Sequence, residues 1–200
     1  MKTKRLKYAA TALIPAALPG LAGCGTAPVN PLATQKSPAL AGGLPVVETF
    51  AQKAQVTSLV PGQRTVALRS EAGNTITCKA APQVANYSQL QAGDKVKATI
   101  TDAVAIFLVK NGPPPSAATG VEVAGPAEAG QPASVVLQTA DSRAKVIQVD
   151  RSYCMLKLDY GKGSTKEFKI PMRYSLKQVR KGDEVVVRAT EPLALRVQPR

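Results

Sequence analysis

The segments Leu90-Gln91-Ala92-Gly93-Asp94-Lys95-Val96 and Val179-Arg180-Lys181-Gly182-Asp183-Glu184-Val185 give the clearest indication of how this chain folds. In each, a Gly-Asp turn signal is followed by a stretch rich in apolar residues, which is typical of the start of a β-strand. At an offset of 89 to 90 residues the match extends from 46–109 to 136–198. The sequence therefore predicts two copies of one β-rich unit of about 65 residues.

Within each copy, short runs of alternating apolar residues predict strands separated by Gly, Asn and Pro turns. Residues 65–69 and 155–159 are matched examples. Five strands at this spacing favour a small barrel of the OB or SH3 kind, in which closure removes exposed strand edges. We therefore predict a mainly β protein with two tandem small five-stranded OB/SH3-like barrels, repeat 1 over 45–110 and repeat 2 over 134–200. A Pro/Ala/Gly-rich linker over 111–133 joins them and contains one short strand near 120–123.

The N-terminus has the pattern of a secretory signal. Four basic residues lie within Met1–Lys7, and an apolar run follows over Tyr8–Gly20. A membrane-spanning helix needs about 20 apolar residues, and Pro15 and Pro19 disfavour a long helix. Residues 1–23 are therefore predicted to be a signal peptide. The Pro-, Ala- and Gly-rich residues 24–44 are predicted to form a flexible tether.

The leader ends in Leu21-Ala22-Gly23-Cys24, which resembles a bacterial lipobox. This resemblance implies a lipoprotein signal peptide, with a diacylglyceryl thioether on Cys24 that serves as a lipid anchor. Gly25 stands where Asp would favour retention at the inner membrane, so the resemblance implies the periplasmic face of the outer membrane. The Leu-x-x-Gly-Asp-x-Val block is similar to small repeat modules of an uncharacterised family of bacterial envelope lipoproteins, and this adds no activity.

Composition argues against most enzymes and against metal binding. The chain has no His, which removes the usual general base near neutral pH and the commonest metal ligand. It also lacks Trp, and after the leader its Met residues are Met155 and Met172, too few soft ligands for a periplasmic copper carrier. We therefore predict no enzyme activity, no catalytic residues, no metal site and no cofactor.

Two pairs of residues are candidate sites. Asp94 and Asp183 follow Gly at the start of a strand, where Asp usually accepts hydrogen bonds from nearby backbone amides, so a turn role is favoured over catalysis. Cys78 and Cys154 are both predicted to face inward in different barrels. Two cores cannot bring their Cα atoms within about 5.5 Å, so buried free thiols are favoured over a disulfide or a functional thiol.

Basic residues are concentrated in the second copy. Residues 134–200 contain 14 Lys and Arg against seven Asp and Glu, whereas residues 48–112 contain seven against four. A run of seven cations in the second copy is the candidate anion-binding site: Lys162, Lys166, Lys169, Arg173, Lys177, Arg180 and Lys181. Its field suits an anionic envelope ligand such as lipid phosphates or peptidoglycan carboxylates, although a solvated basic face is an alternative. The run lacks the aromatic residues on which single-stranded nucleic acid stacks, so no nucleic acid is expected.

These observations predict a lipid-anchored periplasmic protein of the envelope that acts as a non-catalytic binding or structural module. Its expected partners are the membrane, through the lipid anchor, and anionic envelope components or envelope proteins. One alternative is a binder of an anionic envelope ligand through basic repeat 2. A metal chaperone and a nucleic-acid-binding OB-like protein are weaker alternatives.

Overall fold

The computed structural model describes residues 38–116, 120–124 and 134–199, and these residues form a mainly β protein. The eleven strands of this part of the chain are β1 (Leu44–Val60), β2 (Thr65–Ser70), β3 (Thr75–Ala80), β4 (Lys95–Leu108), β5 (Val121–Ala124), β6 (Ser134–Leu137), β7 (Thr139–Asp150), β8 (Met155–Asp159), β9 (Thr165–Lys169), β10 (Glu184–Thr190) and β11 (Leu193–Pro199). Short 3-10 helices lie at Pro38–Leu40, Pro61–Gln63, Ala85–Gln89 and Val109–Asn111. The mainly β class predicted from the sequence is confirmed.

Nine of these strands form one continuous sheet in the order β1-β2-β3-β11-β4-β10-β7-β8-β9, and β5 pairs with β6 in a separate small sheet. Strand β1 also pairs with β4, so β1, β2, β3, β11 and β4 form a closed circuit of pairings. The β3–β11 pairing is parallel and the other four are antiparallel. The prediction confined each set of strands to its own copy, whereas here the last strand of the chain completes the pairings of the first three.

The C-terminal half (residues 134–199) does not form a matching circuit. Strand β10 pairs with β7 and with the end of β4, and the sheet then runs through β8 to an open edge at β9. In the N-terminal half (residues 44–111), the Ala81 amide donates to the Ala194 carbonyl beyond the edge of β3, at 2.9 Å. The residue aligned with Ala81 is Pro171, which has no N–H to donate. The corresponding backbone hydrogen bond is therefore unavailable beside β9.

Pro192 explains where the two halves diverge. Strand β4 runs without interruption from Lys95 to Leu108, but its counterpart divides into β10 and β11 around residues 191–192. A proline inside a strand removes a ladder hydrogen bond, so strands end or bend at this residue. Beyond it, β11 leaves β10 and pairs with β3 and β4.

The two larger hydrophobic cores of the described residues contain side chains from each half, and a third, small cluster consists of Ala105, Phe107 and Val186. The first core lies within the closed circuit and receives Leu193, Leu195 and Val197 from β11. The short strand predicted near residues 120–123 is present as β5, and its Val121 and Val123 side chains also pack into this core. The second core lies under β7 to β10 and receives four apolar residues from the N-terminal half: Val46, Val104, Ile106 and Leu108. The two halves therefore exchange the ends of their strands.

An ion pair between buried Arg188 and the more exposed Asp141 holds the chain together where the halves meet. The Arg188 side chain is 2% exposed, and its Nε and Nη2 atoms donate to the two carboxylate oxygens of Asp141 at 2.6 and 2.7 Å. Its Nη1 donates to the carbonyl oxygens of Ala39, at 2.9 Å, and Pro115, at 2.7 Å. A bidentate guanidinium–carboxylate pair is strong and directional. Arg188 thereby attaches both the segment before β1 and the segment after β4 to β10.

Candidate anion-binding surface

The seven predicted cations occupy three places around β9. Lys162 lies in the turn between β8 and β9, Lys166 and Lys169 lie on β9, and the other four lie on the loop that leads to β10. Strand β9 is five residues long, about 13 Å at the usual rise per residue. Lys162 and Arg173 are therefore separated by its length, and the run does not form a single cluster.

The two lysines of β9 point to opposite sides of the sheet. Lys166 shares a face with the buried Phe168, and its Nζ lies 5.0 Å from the centre of that ring. The same Nζ lies 3.9 Å from Oε2 of Glu48 on β1. Within the described residues, this is the one member of the predicted set that forms a salt bridge. Lys166 therefore lies close to the N-terminal half, although both side chains of this pair are about half exposed.

Lys166 also lies near a carboxylate pair that the sequence did not reveal. Glu48 and Asp102 are directly opposite one another on β1 and β4, although 54 positions separate them in the sequence. Burial raises the pKa of Asp102 above its usual range, the Lys166 charge lowers it, and Glu48 raises it further. The Lys166 charge offsets part of this effect, and among the described residues no third acid, Cys or His joins the pair as a metal ligand would.

Arg180 and Lys181 are brought together with a third cation, Arg151. The three line a shallow depression of about 510 Å³ whose other walls are Ile147, Gln148 and Val149 of β7. Nη2 of Arg151 donates to the Val179 carbonyl at 2.9 Å, which holds this side chain beside the loop. Partly buried Ile147 and Val149 give the depression an apolar wall next to its cations.

Arg151 was missed because it lies outside the basic run. The signal was nevertheless present, because Arg151 aligns with Pro61, as Arg180 aligns with Gln91 and Lys181 with Ala92. A comparison of charge at aligned positions, rather than along the chain, would have identified all three residues. The depression is thus basic in the C-terminal half and uncharged at the same positions in the N-terminal half.

The neighbouring acid Asp183 is already paired with a cation, Lys110. Its Oδ2 accepts hydrogen bonds from Nζ of Lys110 at 2.6 Å and from the Arg180 amide at 2.8 Å. The hydrogen bond from Lys110 is the main reason why the pKa of Asp183 lies below its usual range. The carboxylate therefore stays ionised. Lys110 also donates to the Gln178 carbonyl at 2.6 Å, so it fixes the loop that carries the cations.

The turn role predicted for Asp94 and Asp183 agrees with the hydrogen bonds. Oδ2 of Asp94 accepts from the Gln91 amide at 2.8 Å, as Asp183 does from Arg180. The preceding Gly93 and Gly182 have φ angles of +100° and +95°, which favour glycine. Both carboxylates are thus used to hold a turn.

The two described cysteines are free thiols, as predicted, although only Cys78 is buried. Cys78 faces the first core, where burial raises the pKa of its thiol to about 12. The inward orientation predicted for Cys154 is wrong, because this residue is half-buried in the turn before β8 with a φ of +54°. Its aligned residue Arg64 has a similar φ of +48°, but it is buried and donates to three carbonyl groups, of Ala80, Ala81 and Val84.

Cys24, the signal peptide and most of the tether lie outside the described residues. Among those that the structure does describe, no helix is long and apolar enough to cross a membrane. Over the same ranges, no three side chains of the His, Cys, Asp and Glu types cluster as metal ligands would.

Comparison of the chain with protein-family models, with curated proteins and with solved structures found no match.

Proposed function

We propose that this protein is a lipid-anchored component of the bacterial envelope, a non-catalytic module that binds an anionic envelope ligand through its C-terminal half. The observation that carries the proposal is the basic depression of Arg151, Arg180 and Lys181, which is uncharged at the aligned positions of the N-terminal half. Cations grouped in a concavity concentrate anions beside it. The lipobox-like Leu21-Ala22-Gly23-Cys24 supports placement of this surface at a membrane.

The proposed scaffold is a pair of OB-like units derived from a tandem repeat. In its support, Val66 pairs with Cys78 and, 90 residues later, Leu156 pairs with Phe168. Strand irregularities follow both Val56 and Val146, again 90 residues apart. The closed circuit of five strands supports an OB-like barrel for the first unit. The second unit would be an open version of the same arrangement.

The anchor can be tested by one substitution. Cys24→Ser removes the thiol that the thioether requires, so we expect no incorporation of radiolabelled fatty acid and no processing by the lipoprotein route. Cys154→Ser, at a half-buried turn, is the matched control and should be acylated normally. Labelled fatty acid on the Cys24→Ser chain would overturn the anchor.

Anion binding is tested with the unlipidated chain from Gly25 to Arg200, which keeps every described residue. We expect it to sediment with phosphatidylglycerol vesicles much more than with phosphatidylcholine vesicles. Binding should weaken between 50 and 300 mM salt, because the Debye length shortens from more than 10 Å to well below 8 Å. The triple variant Lys177→Gln, Arg180→Gln, Lys181→Gln should bind less.

A matched control removes the same charge from the other half, with Lys53→Gln, Lys95→Gln and Lys97→Gln on the exposed side of β1 and β4. It should retain most of the binding. Lipopolysaccharide and peptidoglycan replace the vesicles in parallel assays to identify the preferred anion. Equal losses in the two triple variants would show that net charge alone attracts the ligand, and absence of binding to every anion would overturn the proposal.

A further inference from the structure

Two apolar side chains of the C-terminal half stand out by their exposure. Tyr153 is 74% exposed and Met172 is 88% exposed, whereas no other large apolar side chain of the described residues exceeds 49%. Single exposed apolar residues are ordinary, whereas exposed apolar residues that lie together mark contact surfaces. The positions of these two residues are therefore what matters.

Tyr153 and Met172 lie at the same end of the β8–β9 pair. The Ile170 amide donates to the Cys154 carbonyl at 2.8 Å, and this hydrogen bond joins the turn before β8 to the turn after β9. Tyr153 immediately precedes Cys154, and Met172 follows Ile170 by two positions. The opposite end of the pair is the turn with Lys162.

The basic depression adjoins this end. Arg151 belongs to the same turn as Tyr153, and its hydrogen bond to the Val179 carbonyl brings that turn against the loop of Arg180 and Lys181. Arg173 is the neighbour of Met172, with its guanidinium carbon 5.1 Å from the ring centre of Tyr174. We call this surface the basic–apolar tip; its members are Arg151, Tyr153, Met172, Arg173, Arg180 and Lys181.

Two acids lie beside Tyr153. Oδ1 of Asp150 accepts hydrogen bonds from the Ser152 and Tyr153 amides, both at 3.0 Å, and Glu167, which lines the same depression as Tyr153, pairs with Nζ of Lys157 at 3.0 Å. No residue at the aligned positions of the N-terminal half is charged or large and apolar: Pro61, Gln63, Pro82, Gln83, Gln91 and Ala92. The tip is therefore a property of the C-terminal half and not of the shared scaffold.

We infer that the basic–apolar tip docks on the anionic surface of the bilayer that holds the lipid anchor, with Tyr153 and Met172 inserted at headgroup level. Tyrosine is enriched at this boundary, and the arginine and lysine side chains of the tip would be attracted to the negative charge of the leaflet. The inference rests on the proposed function and adds its partner and its mode of contact.

The short length of chain between Cys24 and Ala39 favours the bilayer as the partner of the tip. Ala39 lies 15 positions after Cys24, and this length of chain reaches at most about 50 Å when fully extended. The Ala39 carbonyl is held by Arg188 on β10, in the half that carries the tip. An anchor this close keeps the folded residues at the membrane surface, so even a weak contact is repeatedly formed.

Tryptophan substitution provides a direct test, because the chain contains no Trp of its own. Tyr153→Trp and Met172→Trp each introduce a single fluorophore at the tip, and Phe50→Trp places one at a 41% exposed position of β1. With the Gly25–Arg200 chain and phosphatidylglycerol vesicles, we expect a blue shift and quenching by brominated lipid for the two tip variants. Phe50→Trp should show neither.

Vesicle sedimentation supplies the second measurement. Tyr153→Ser with Met172→Ser should weaken binding several-fold, and the loss should persist at high salt because the contact that it removes is apolar. Arg151→Gln, Arg180→Gln and Lys181→Gln should weaken binding about tenfold or more at low salt. Circular dichroism of each variant establishes that it remains folded.

The outcomes separate this inference from the proposed function. Salt-sensitive binding of the wild-type chain without any change in the tip fluorophores would overturn insertion and leave anion binding intact. Blue shifts at Phe50→Trp equal to those at the tip would also overturn it. If the wild-type chain binds no anionic vesicle, lipopolysaccharide or peptidoglycan, the proposed function fails first.

Discussion

In the N-terminal half, the edge of β3 is occupied by β11, and backbone hydrogen bonds from Lys79 and Ala81 close the circuit. In the C-terminal half, the matching edge of β9 is open and Pro171 removes one donor from it. The local turns agree closely, down to Asp94 and Asp183 bound to the amide three residues before them. The difference shows that similar segments can make the same turns and still complete their cores with strands from elsewhere in the chain.

The two halves also differ in charge at one pair of facing positions. Position 188 is a buried arginine in the C-terminal half, paired with Asp141, whereas the aligned residues of the N-terminal half are Thr99 and Ala51. These two also face one another across neighbouring strands. The fold thus accommodates either a polar–apolar pair or an ion pair at this place. In the C-terminal half, Arg188 also binds the carbonyl groups of Ala39 and Pro115.

The largest effect is expected from removal of β11. Truncation after Glu191 takes Leu193, Leu195 and Val197 out of the first core, and each buried side chain of this size contributes about 1.5–3 kcal/mol. A loss of roughly 5 kcal/mol or more approaches the whole stability of an ordinary domain. We expect the N-terminal half to unfold although none of its own residues is missing.

Thiol labelling measures this effect in each half separately. In the intact Gly25–Arg200 chain, Cys78 is buried and its raised pKa disfavours the thiolate, so it should label far more slowly than half-buried Cys154. In the truncated chain Cys78 should label rapidly. Continued protection of Cys78 after truncation would mean that the N-terminal half closes its core without β11.

A smaller loss is expected for Arg188→Met, which keeps the volume but removes the charge. Asp141 then loses its partner, and the Ala39 and Pro115 carbonyls lose their donor. Leaving the buried carbonyl groups without a donor costs about 1–3 kcal/mol, whereas Asp141 is exposed enough to be solvated. Thr99→Val at the aligned position should change the free energy of unfolding by less than about 1 kcal/mol. Urea denaturation compares the two, and equal effects would contradict the role given to Arg188.

The smallest predicted effect is a pH dependence. The hydrogen bond from Arg188 lowers the pKa of Asp141 below its ordinary value of 3.8. The stabilisation from this carboxylate is therefore complete above the unfolded-state pKa and is lost as the pH falls through the lower folded-state pKa. The stability advantage of the wild-type chain over Asp141→Asn should shrink as the pH falls below about 4. A constant advantage from pH 7 to pH 2 would contradict this linkage.

Much of the local structure could be predicted because it depends on neighbouring residues. Alternation in 65–69 and 155–159 gave strands β2 and β8, and Gly-Asp gave the turns. The exchange of β11 could not be predicted, since pairing with β3 or with β9 satisfies the same apolar pattern. Pro171 and Pro192 were the available signals, and their meaning depends on which strand lies alongside.

The candidate surface was predicted only in part for a related reason. The basic run identified Arg180 and Lys181, but position along the chain grouped them with Lys166, which lies near Glu48 of β1 instead. Arg151 and Tyr153 joined the surface only once the turn before β8 was placed beside residues 170–181. Proximity of this kind arises from strand register and is not encoded in any local stretch.

Hydrogen–deuterium exchange on vesicle binding compares matched segments of both halves in a single experiment. With phosphatidylglycerol vesicles, we expect slower amide exchange in residues 147–154 and 171–182. Exchange in the aligned residues 57–64 and 81–93 should be unchanged. Equal protection of the two halves, or protection confined to the N-terminal half, would contradict the claim that the C-terminal half carries the membrane contact.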